Sequence, residues 1–309
     1  MSEKLAFIFP GQGSQKIGMG QDIIEKYPSA AVMMENASNT LNIDLKKLCW
    51  QGPETQLNKT RNTQPAIFII SMIIDSLLKE NEIKPDVVAG HSLGEYSAFT
   101  ASGAFSFIDG LKAVRERGII MDEISPENRG QMAAIIGMDI DKVKSLCGQS
   151  NGICELANDN CPGQAVISGE SEAVEKITEL AKSQGAKKVV KLNVSGPFHS
   201  SLMKPARQHL QEVLAGIDIN RPRMPVVANV SADYVSEPEK IREMLLSQLT
   251  KTVRWTASMK LLIKQDITTF IEVGPGRVLK GLMRRIDRSV KVYSTYNLKQ
   301  LEKVIEKFS

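Results

Sequence analysis

Cysteine is scarce in this chain, with four residues among 309. These residues, Cys49, Cys147, Cys154 and Cys161, form no Cys-x-x-Cys pair, and the gaps between them fit no common structural zinc motif. We therefore expect reduced, mostly buried thiols and no bound metal ion.

Long apolar runs are also missing. The longest, Ala66–Ile74, is interrupted by Ser71 and ends before Asp75, whereas a membrane-spanning helix needs about 20 apolar residues. Near the N-terminus the apolar segment Leu5–Phe9 runs into Pro10, and no signal-peptide cleavage site follows it. The sequence predicts no membrane span and a cytoplasmic location.

A strong charge of one sign is absent as well. Lys and Arg total 39 against 35 Asp and Glu, and no basic block concentrates the net charge of +4. We therefore expect no nucleic-acid partner. The 42% hydrophobic residues are typical of a globular protein, and the length fits one large domain or a large domain with a smaller insert.

An inserted subdomain is indicated between Gln131 and Leu192. There the apolar patterns predict the order β-α-β-β-α-β, which folds into a ferredoxin-like sandwich. We place the larger domain at 1–128 and 195–309 and the smaller one at 129–194. The expected hinges are Asn128-Arg129-Gly130 and Ser195-Gly196-Pro197.

Outside the insert, apolar strands alternate with helical patterns. The spacing predicts a helix over Pro65–Lys79 with its proline in the first turn, another over Ser200–Ala215, and one final helix after Gly276.

The pentapeptide Gly90-His91-Ser92-Leu93-Gly94 follows a short apolar strand and precedes a helix rich in small residues. A serine at such a strand-to-helix turn presents its hydroxyl at the sheet edge, and the flanking glycines leave room for the tight backbone. The helix N-terminus supplies N–H groups that stabilise an oxyanion. The context favours a nucleophilic Ser92 over a glycine-rich turn without chemistry.

A serine nucleophile needs a base, and the chain has only three histidines. His91 adjoins Ser92 and is expected to point away from it as a packed support, while His209 lies on a predicted surface helix. His199 lies in a turn between a strand and a helix, where it can reach a sheet-edge nucleophile, and is the candidate base.

No acidic residue stands out as the third member of a triad. The candidates all fall in segments typical of solvated loops or helix faces: Asp218, Asp233, Asp266 and Asp287. A backbone carbonyl could orient the imidazole instead.

Two glycine-rich segments resemble nucleotide motifs without matching them. Gly11-Gln12-Gly13 follows a strand, but Lys16 stands where a dinucleotide fingerprint needs its third glycine. Glu272-Val273-Gly274-Pro275-Gly276 lacks the Lys-Ser/Thr ending of a P-loop. No nucleotide cofactor is implied, and Gln12 could offer a second oxyanion donor.

Five segments together closely resemble the malonyl-CoA:acyl carrier protein transacylase family, almost end to end. They are Pro10-Gly11-Gln12-Gly13-Ser14-Gln15, Thr63-Gln64-Pro65-Ala66, Gly90-His91-Ser92-Leu93-Gly94-Glu95-Tyr96, Pro197-Phe198-His199 and Glu272-Val273-Gly274-Pro275-Gly276. The resemblance implies an α/β fold: an α/β-hydrolase-like core with a mostly parallel sheet, plus an inserted ferredoxin-like subdomain.

The same resemblance implies catalytic roles. Ser92 is the acylated nucleophile, His199 is the general base, and the backbone N–H groups of Gln12 and Leu93 form the oxyanion hole. The main-chain carbonyl of Gln248 orients the histidine, which fits the missing triad acid.

Substrate binding is implied for three further residues, Arg117, Gln64 and His91. A guanidinium can hold the malonyl carboxylate by two parallel hydrogen bonds. On the residues alone, either Arg115 or Arg117 would be a solvated helix charge; the family motif selects Arg117 and leaves Arg115 an ordinary one. The family's Ser-Pro-Gly-Gln turn has a cysteine here, in Cys161-Pro162-Gly163-Gln164, and we expect this departure to be neutral.

The implied activity is a two-step malonyl transfer from malonyl-CoA to acyl carrier protein for fatty acid synthesis, with no metal or nucleotide cofactor and with a monomer as the default. Cationic residues near the predicted last helix could help to dock the acidic carrier: Arg284, Arg285, Arg288 and Lys291. The alternatives are a serine thioesterase or hydrolase, a polyketide-pathway acyltransferase, and a non-catalytic carrier-binding subunit.

Overall fold

A computed structural model describes residues 4–124, 130–194 and 196–309. The strands are β1 (Leu5–Phe9), β2 (Val87–Gly90), β3 (Gly130–Ile136), β4 (Cys154–Cys161), β5 (Gln164–Glu170), β6 (Lys188–Lys191), β7 (Val226–Ala228), β8 (Asp233–Val235), β9 (Thr269–Glu272) and β10 (Lys291–Ser294). The helices are α1 (Gln21–Lys26), α2 (Pro28–Leu41), α3 (Leu45–Trp50), α4 (Glu54–Leu57), α5 (Thr60–Glu80), α6 (Leu93–Ala101), α7 (Phe107–Ile124), α8 (Ile140–Cys147), α9 (Ser171–Ser183), α10 (Ala206–Ala215), α11 (Pro238–Gln248), α12 (Trp255–Lys264), α13 (Val278–Ile286) and α14 (Leu298–Phe308).

The larger sheet has the strand order β10-β9-β1-β2-β7-β8 and is parallel except at β8. Its central strand β1 is apolar and buried along its whole length, as expected for a parallel strand covered on both faces. The pairing of Phe9 with Gly90 brings the ends of β1 and β2 level. The loops carrying Gln12 and Ser92 therefore leave the same edge of the sheet.

The smaller sheet is antiparallel with the order β4-β5-β3-β6, the ferredoxin-like arrangement expected from the sequence. Alternate residues of β3 serve different cores. Ala133 and Ile135 belong to a separate cluster with α8 and α9, whereas Met132 and Ala134 join the main hydrophobic core. The α/β fold class is thus confirmed.

The exact division of the chain into domains stays a prediction. The expected hinge residues Asn128, Arg129 and Ser195 lie outside the described residues.

The central helix α5 corrects one prediction. It begins at Thr60, five residues before the expected start, so Pro65 lies inside it. Proline has no N–H to donate to the carbonyl four residues earlier, that of Arg61. Arg115 of α7 donates to that carbonyl instead, at 2.5 Å, and also to the Asn62 side chain at 3.1 Å. Arg115 is therefore a partner of the α5 backbone and not an ordinary helix charge.

Two further boundaries differ from the sequence prediction. The segment expected as one helix from Ser200 starts as a 3₁₀ turn, Ser201–Met203, and α10 begins only after Pro205. Proline has no N–H, so it cannot continue the hydrogen bonding of the helix from the turn. After α13 the chain adds an edge strand, β10, and a last helix, α14, so the helix after Gly276 is not the final one.

Within the described ranges, no helix is long and apolar enough to cross a membrane.

Candidate active site

Ser92 lies at a sharp turn between β2 and α6, in a backbone conformation of φ 51° and ψ −106°. The flanking glycines make this turn possible. A Cβ on Gly90 would lie 1.8 Å from the Gly94 carbonyl oxygen, and one on Gly94 would lie 2.1 Å from that of Phe9. The Asn229 side chain accepts a hydrogen bond from the Ser92 N–H at 2.8 Å. The turn therefore has the strained geometry of a nucleophile elbow.

His199 meets Ser92 across 107 positions of sequence, with Nε2 2.8 Å from the serine Oγ. Its Nδ1 lies 2.7 Å from the main-chain carbonyl oxygen of Gln248. Gln248 is the last residue of α11, so its carbonyl has no partner within the helix and is free to accept. With Nδ1–H donating there, Nε2 carries the lone pair that faces the serine hydroxyl.

The imidazole is held in its neutral form. Burial and the positive charge of Arg117 lower the pKa of His199 to about 3. A neutral imidazole can accept the serine proton over the whole physiological pH range.

Arg117 reaches the same point from α7, and its side chain is only 1% exposed. Its Nη1 donates to the Gln64 side-chain oxygen at 2.8 Å, and its Nη2 donates to the Gln248 side-chain oxygen at 2.8 Å and to Ser92 Oγ at 3.2 Å. All three acceptors are neutral, and no described carboxylate forms an ion pair with this guanidinium. A buried cation with neutral partners favours binding of an anionic group beside Ser92.

The next residue allows this close approach. A Cβ on Gly118 would lie 2.8 Å from the Arg61 Cα, so α7 packs directly on the first turn of α5. This contact brings Arg117 and Gln64 within hydrogen-bond distance.

A cavity of about 360 Å³ opens above these groups. Gln12 and Leu93 line it beside Ser92, and the Gln12 side chain donates to the Thr60 hydroxyl at 3.3 Å. Part of the cavity lining comes from the smaller sheet, through Met132 and Asn158. The cavity is therefore enclosed by both regions of the chain.

The two remaining predicted site residues differ in position. His91 lines the cavity and is also packed as a support: its Nε2 is 2.8 Å from the Asn160 side-chain oxygen, and its ring meets that of Trp255 edge to face. Its role in substrate binding stays a prediction. Gln64 is 99% buried and does not line the cavity; it contacts Arg117.

A model of the acyl transferase domain matches residues 6–300 of the chain. The chain belongs to the acyl transferase domain family. Curated relatives include the malonyl CoA-acyl carrier protein transacylase of Bacillus subtilis (strain 168), which is 46% identical over 98% of this chain and 96% of its own length.

The solved structures that resemble this acyltransferase include further malonyl transacylases. A malonyl-transacylase in complex with its type II PKS acyl-carrier protein superposes with a TM-score of 0.96, at 40% identity and over 99% of this chain and 100% of that one. The malonyl CoA-acyl carrier protein transacylase of Coxiella burnetii also reaches 0.96, at 37% identity and with 99% and 98% coverage.

Sequence reasoning missed two polar residues of the acyltransferase site. Glu95 is fully buried on α6, where burial raises the pKa of its carboxyl to about 7. Asn229 follows β7. Its side-chain amide accepts a hydrogen bond from the Ser92 N–H and donates one to the carbonyl of Gly90. Glu95 lies in the segment that resembles the family but has no role that the sequence alone indicates, and the signal for Asn229 is its place directly after a buried strand.

Proposed function

We propose that this acyltransferase moves the malonyl group from malonyl-CoA to the phosphopantetheine thiol of acyl carrier protein, through a malonyl ester on Ser92. The observation that carries the proposal is the buried Arg117 guanidinium, 3.2 Å from the serine oxygen and bonded, within the described part of the chain, to neutral acceptors alone. It fits an acyl group that ends in a carboxylate. The relatives named as malonyl transacylases support the same substrate pair.

In the first step, Ser92 Oγ attacks the thioester carbonyl carbon while His199 Nε2 takes the hydroxyl proton. The Gln248 carbonyl, at the negative end of the α11 dipole, stabilises the imidazolium that forms. The backbone N–H groups of Gln12 and Leu93 hold the oxyanion. The carbon–sulfur bond then breaks, and CoA leaves as a thiol with the proton from Nε2.

The second step runs the same sequence with a different nucleophile. The carrier's pantetheine thiol gives its proton to His199 Nε2 and attacks the malonyl ester. Collapse of the tetrahedral intermediate returns the proton to Ser92 Oγ. No proton or acyl group is left over, so the enzyme alternates between a free and an acylated form.

Arg117 selects the acyl group by pairing with its terminal carboxylate. Gln64 acts through Arg117, and His91 on the cavity wall contacts the bound thioester. A serine hydrolase would need the same Ser92 and His199, but a buried cation beside the nucleophile would only hinder binding of a neutral ester.

We place the product, malonyl-acyl carrier protein, in fatty acid synthesis and the enzyme in the cytoplasm. A polyketide carrier is the alternative acceptor, and the monomer expected from the sequence stays a prediction.

The test is incubation with isotopically labelled malonyl-CoA, followed by intact-mass measurement and peptide mapping, with Ser92→Ala as the control. A lasting malonyl adduct on Ser92, discharged by a phosphopantetheinylated fatty-acid carrier protein, is the expected result. Rapid release of malonate without any carrier would indicate a hydrolase. Absence of an adduct would leave only a binding role and overturn the proposal.

A further inference from the structure

Glu95 is a buried carboxylate that none of the steps above uses. Among the described residues, its carboxyl group makes no hydrogen bond to Ser92, His199 or Arg117, and its two oxygens accept hydrogen bonds from other groups. One bond comes from the Asn229 backbone N–H at 2.9 Å, and the other comes from the side-chain amide nitrogen of Gln248.

The second of these bonds determines which way the Gln248 amide points. Its NH₂ group donates to Glu95 and, at 3.0 Å, to the main-chain carbonyl of Ser92. Its oxygen must then point the other way, where it accepts from Arg117 Nη2 at 2.8 Å. Carboxylate, amide and guanidinium thus form one chain, in which the Gln248 amide donates to Glu95 and accepts from Arg117.

We propose that Glu95 is a positioning residue that orients Arg117 through the Gln248 amide and thereby increases selectivity for acyl groups that end in a carboxylate. The inference rests on the proposed malonyl transfer. It adds a residue that never touches the substrate.

An indirect link has a chemical advantage over a direct one. A carboxylate bonded to the guanidinium itself would compete with the malonyl carboxylate for the same N–H groups. Above the raised Glu95 pKa of about 7, the negative charge lies one amide away and supports the buried cation. No described carboxylate then bonds to the guanidinium itself. The buried Nε of Arg117 has no hydrogen-bond partner among the described residues, so one of its donors stays unused.

The decisive variant is Glu95→Gln, which keeps the shape of the side chain and replaces one acceptor oxygen by a donor. If that donor faces Gln248, the Gln248 amide must turn, and its NH₂ group then meets Arg117. We expect kcat/KM for Ser92 acylation by malonyl-CoA to fall about tenfold, and acylation by acetyl-CoA to fall less than about threefold.

A double-mutant cycle separates positioning from a general structural role. In an Arg117→Ala background, Glu95→Gln should leave the ratio of malonyl to acetyl acylation unchanged. Gln248→Met removes the amide and retains the main-chain carbonyl that faces His199, so it should reproduce the selective loss even if Glu95→Gln folds poorly.

The matched control is Glu272→Gln. Glu272 is also a buried glutamate, but it accepts from the N–H groups of Leu279 and Lys280 at the start of α13, away from the cavity. This substitution should lower the melting temperature without changing selectivity.

The outcomes distinguish the inference from the function on which it rests. Two outcomes would overturn the role of Glu95 and leave the proposed function intact. One is an equal loss of malonyl and acetyl acylation in Glu95→Gln. The other is a change in the malonyl-to-acetyl ratio that Glu95→Gln still causes in the Arg117→Ala background. Failure of the unaltered enzyme to form malonyl-Ser92 would overturn the proposed function itself.

Discussion

The two sheets of the molecule contribute to the site in different ways. The parallel sheet ends its strands β1, β2 and β7 at one edge, and the turns there carry Gln12, Ser92 and Asn229. The antiparallel sheet offers no such common edge. It turns one face to its own helices and the other to the main core, and it supplies cavity wall through Met132 and Asn158.

The difference shows which part of the fold serves the chemistry and which part encloses it. Parallel strands bring the loops that carry Gln12, Ser92 and Asn229 to one edge. The two side chains bonded to the serine oxygen come from outside the antiparallel sheet, Arg117 from α7 and His199 from the segment after β6. The smaller region acts on the site from the outside, through contacts such as that of Asn160 with His91. Substitutions in the two regions should therefore differ strongly in size of effect.

The largest effect should come from the base in the larger region. We expect His199→Gln to slow Ser92 acylation by about a thousandfold, since general-base catalysis contributes on that order. Stopped-flow acylation with malonyl-CoA and acetyl-CoA measures it, and both substrates should be affected alike. A loss confined to malonyl-CoA would show that the residue binds the carboxylate instead.

The His199→Gln variant should also change how the stability of the protein depends on pH. Unfolded His199 binds a proton below about pH 6.5, while the folded residue, with its pKa lowered to about 3, does not. The native protein should therefore lose stability as pH falls through this window, by about 2 kcal/mol at pH 5 from this residue. Urea unfolding at pH 7 and pH 5 should show a smaller loss for His199→Gln than for the unaltered enzyme.

The next largest effect should separate two arginines of one helix. Arg117→Ala should reduce malonyl transfer by roughly 30-fold or more and spare acetyl transfer, because it removes a charge-assisted pair. Arg115→Ala is the matched control; it should lower the melting temperature and leave the malonyl-to-acetyl ratio unchanged, because Arg115 bonds to the α5 backbone. Equal behaviour of the two variants would place Arg117 among the structural residues.

A smaller effect is expected from the antiparallel sheet. Asn160→Ala removes the side-chain partner of His91 and should reduce kcat/KM by less than about tenfold. Gln131→Ala in the same sheet, whose amide bonds to the Ser171 carbonyl, should affect only thermal stability. A loss for Asn160→Ala as large as that for Arg117→Ala would contradict the division between the two sheets.

The smallest effect is expected at Cys161, where the family turn has serine. The side chain is 2% exposed and packs in the apolar cluster that contains Trp255. Cys161→Ser should leave malonyl transfer unchanged and cost about 1 kcal/mol of stability through burial of a hydroxyl. Thermal melting and a steady-state assay check both parts.

The sequence was sufficient where the signal is local. The elbow around Ser92 and the β-α-β-β-α-β order between Gln131 and Leu192 depend on nearest neighbours and periodicity, and the structure has both. Arg117 could be selected only through the family resemblance, because burial on α7 is set by packing against α5.

Other features depend on contacts between distant segments. The roles of Glu95 and Asn229 follow from β7 lying beside β2, an order that no local pattern specifies. Strand β10 is short and lies at the sheet edge, so its pattern is weak. The spacing of Leu301 and Val304 in α14 was a helical signal that could have been used.

The Arg61 carbonyl, to which Pro65 has no N–H to donate, links two positions 50 residues apart. Because Arg115 satisfies that carbonyl, the proline and the arginine form a compensating pair, and each makes the other worth retaining during evolution. A descendant that replaced Pro65 by an ordinary residue would regain the backbone bond, and Arg115 would then be needed only for its bond to the Asn62 side chain.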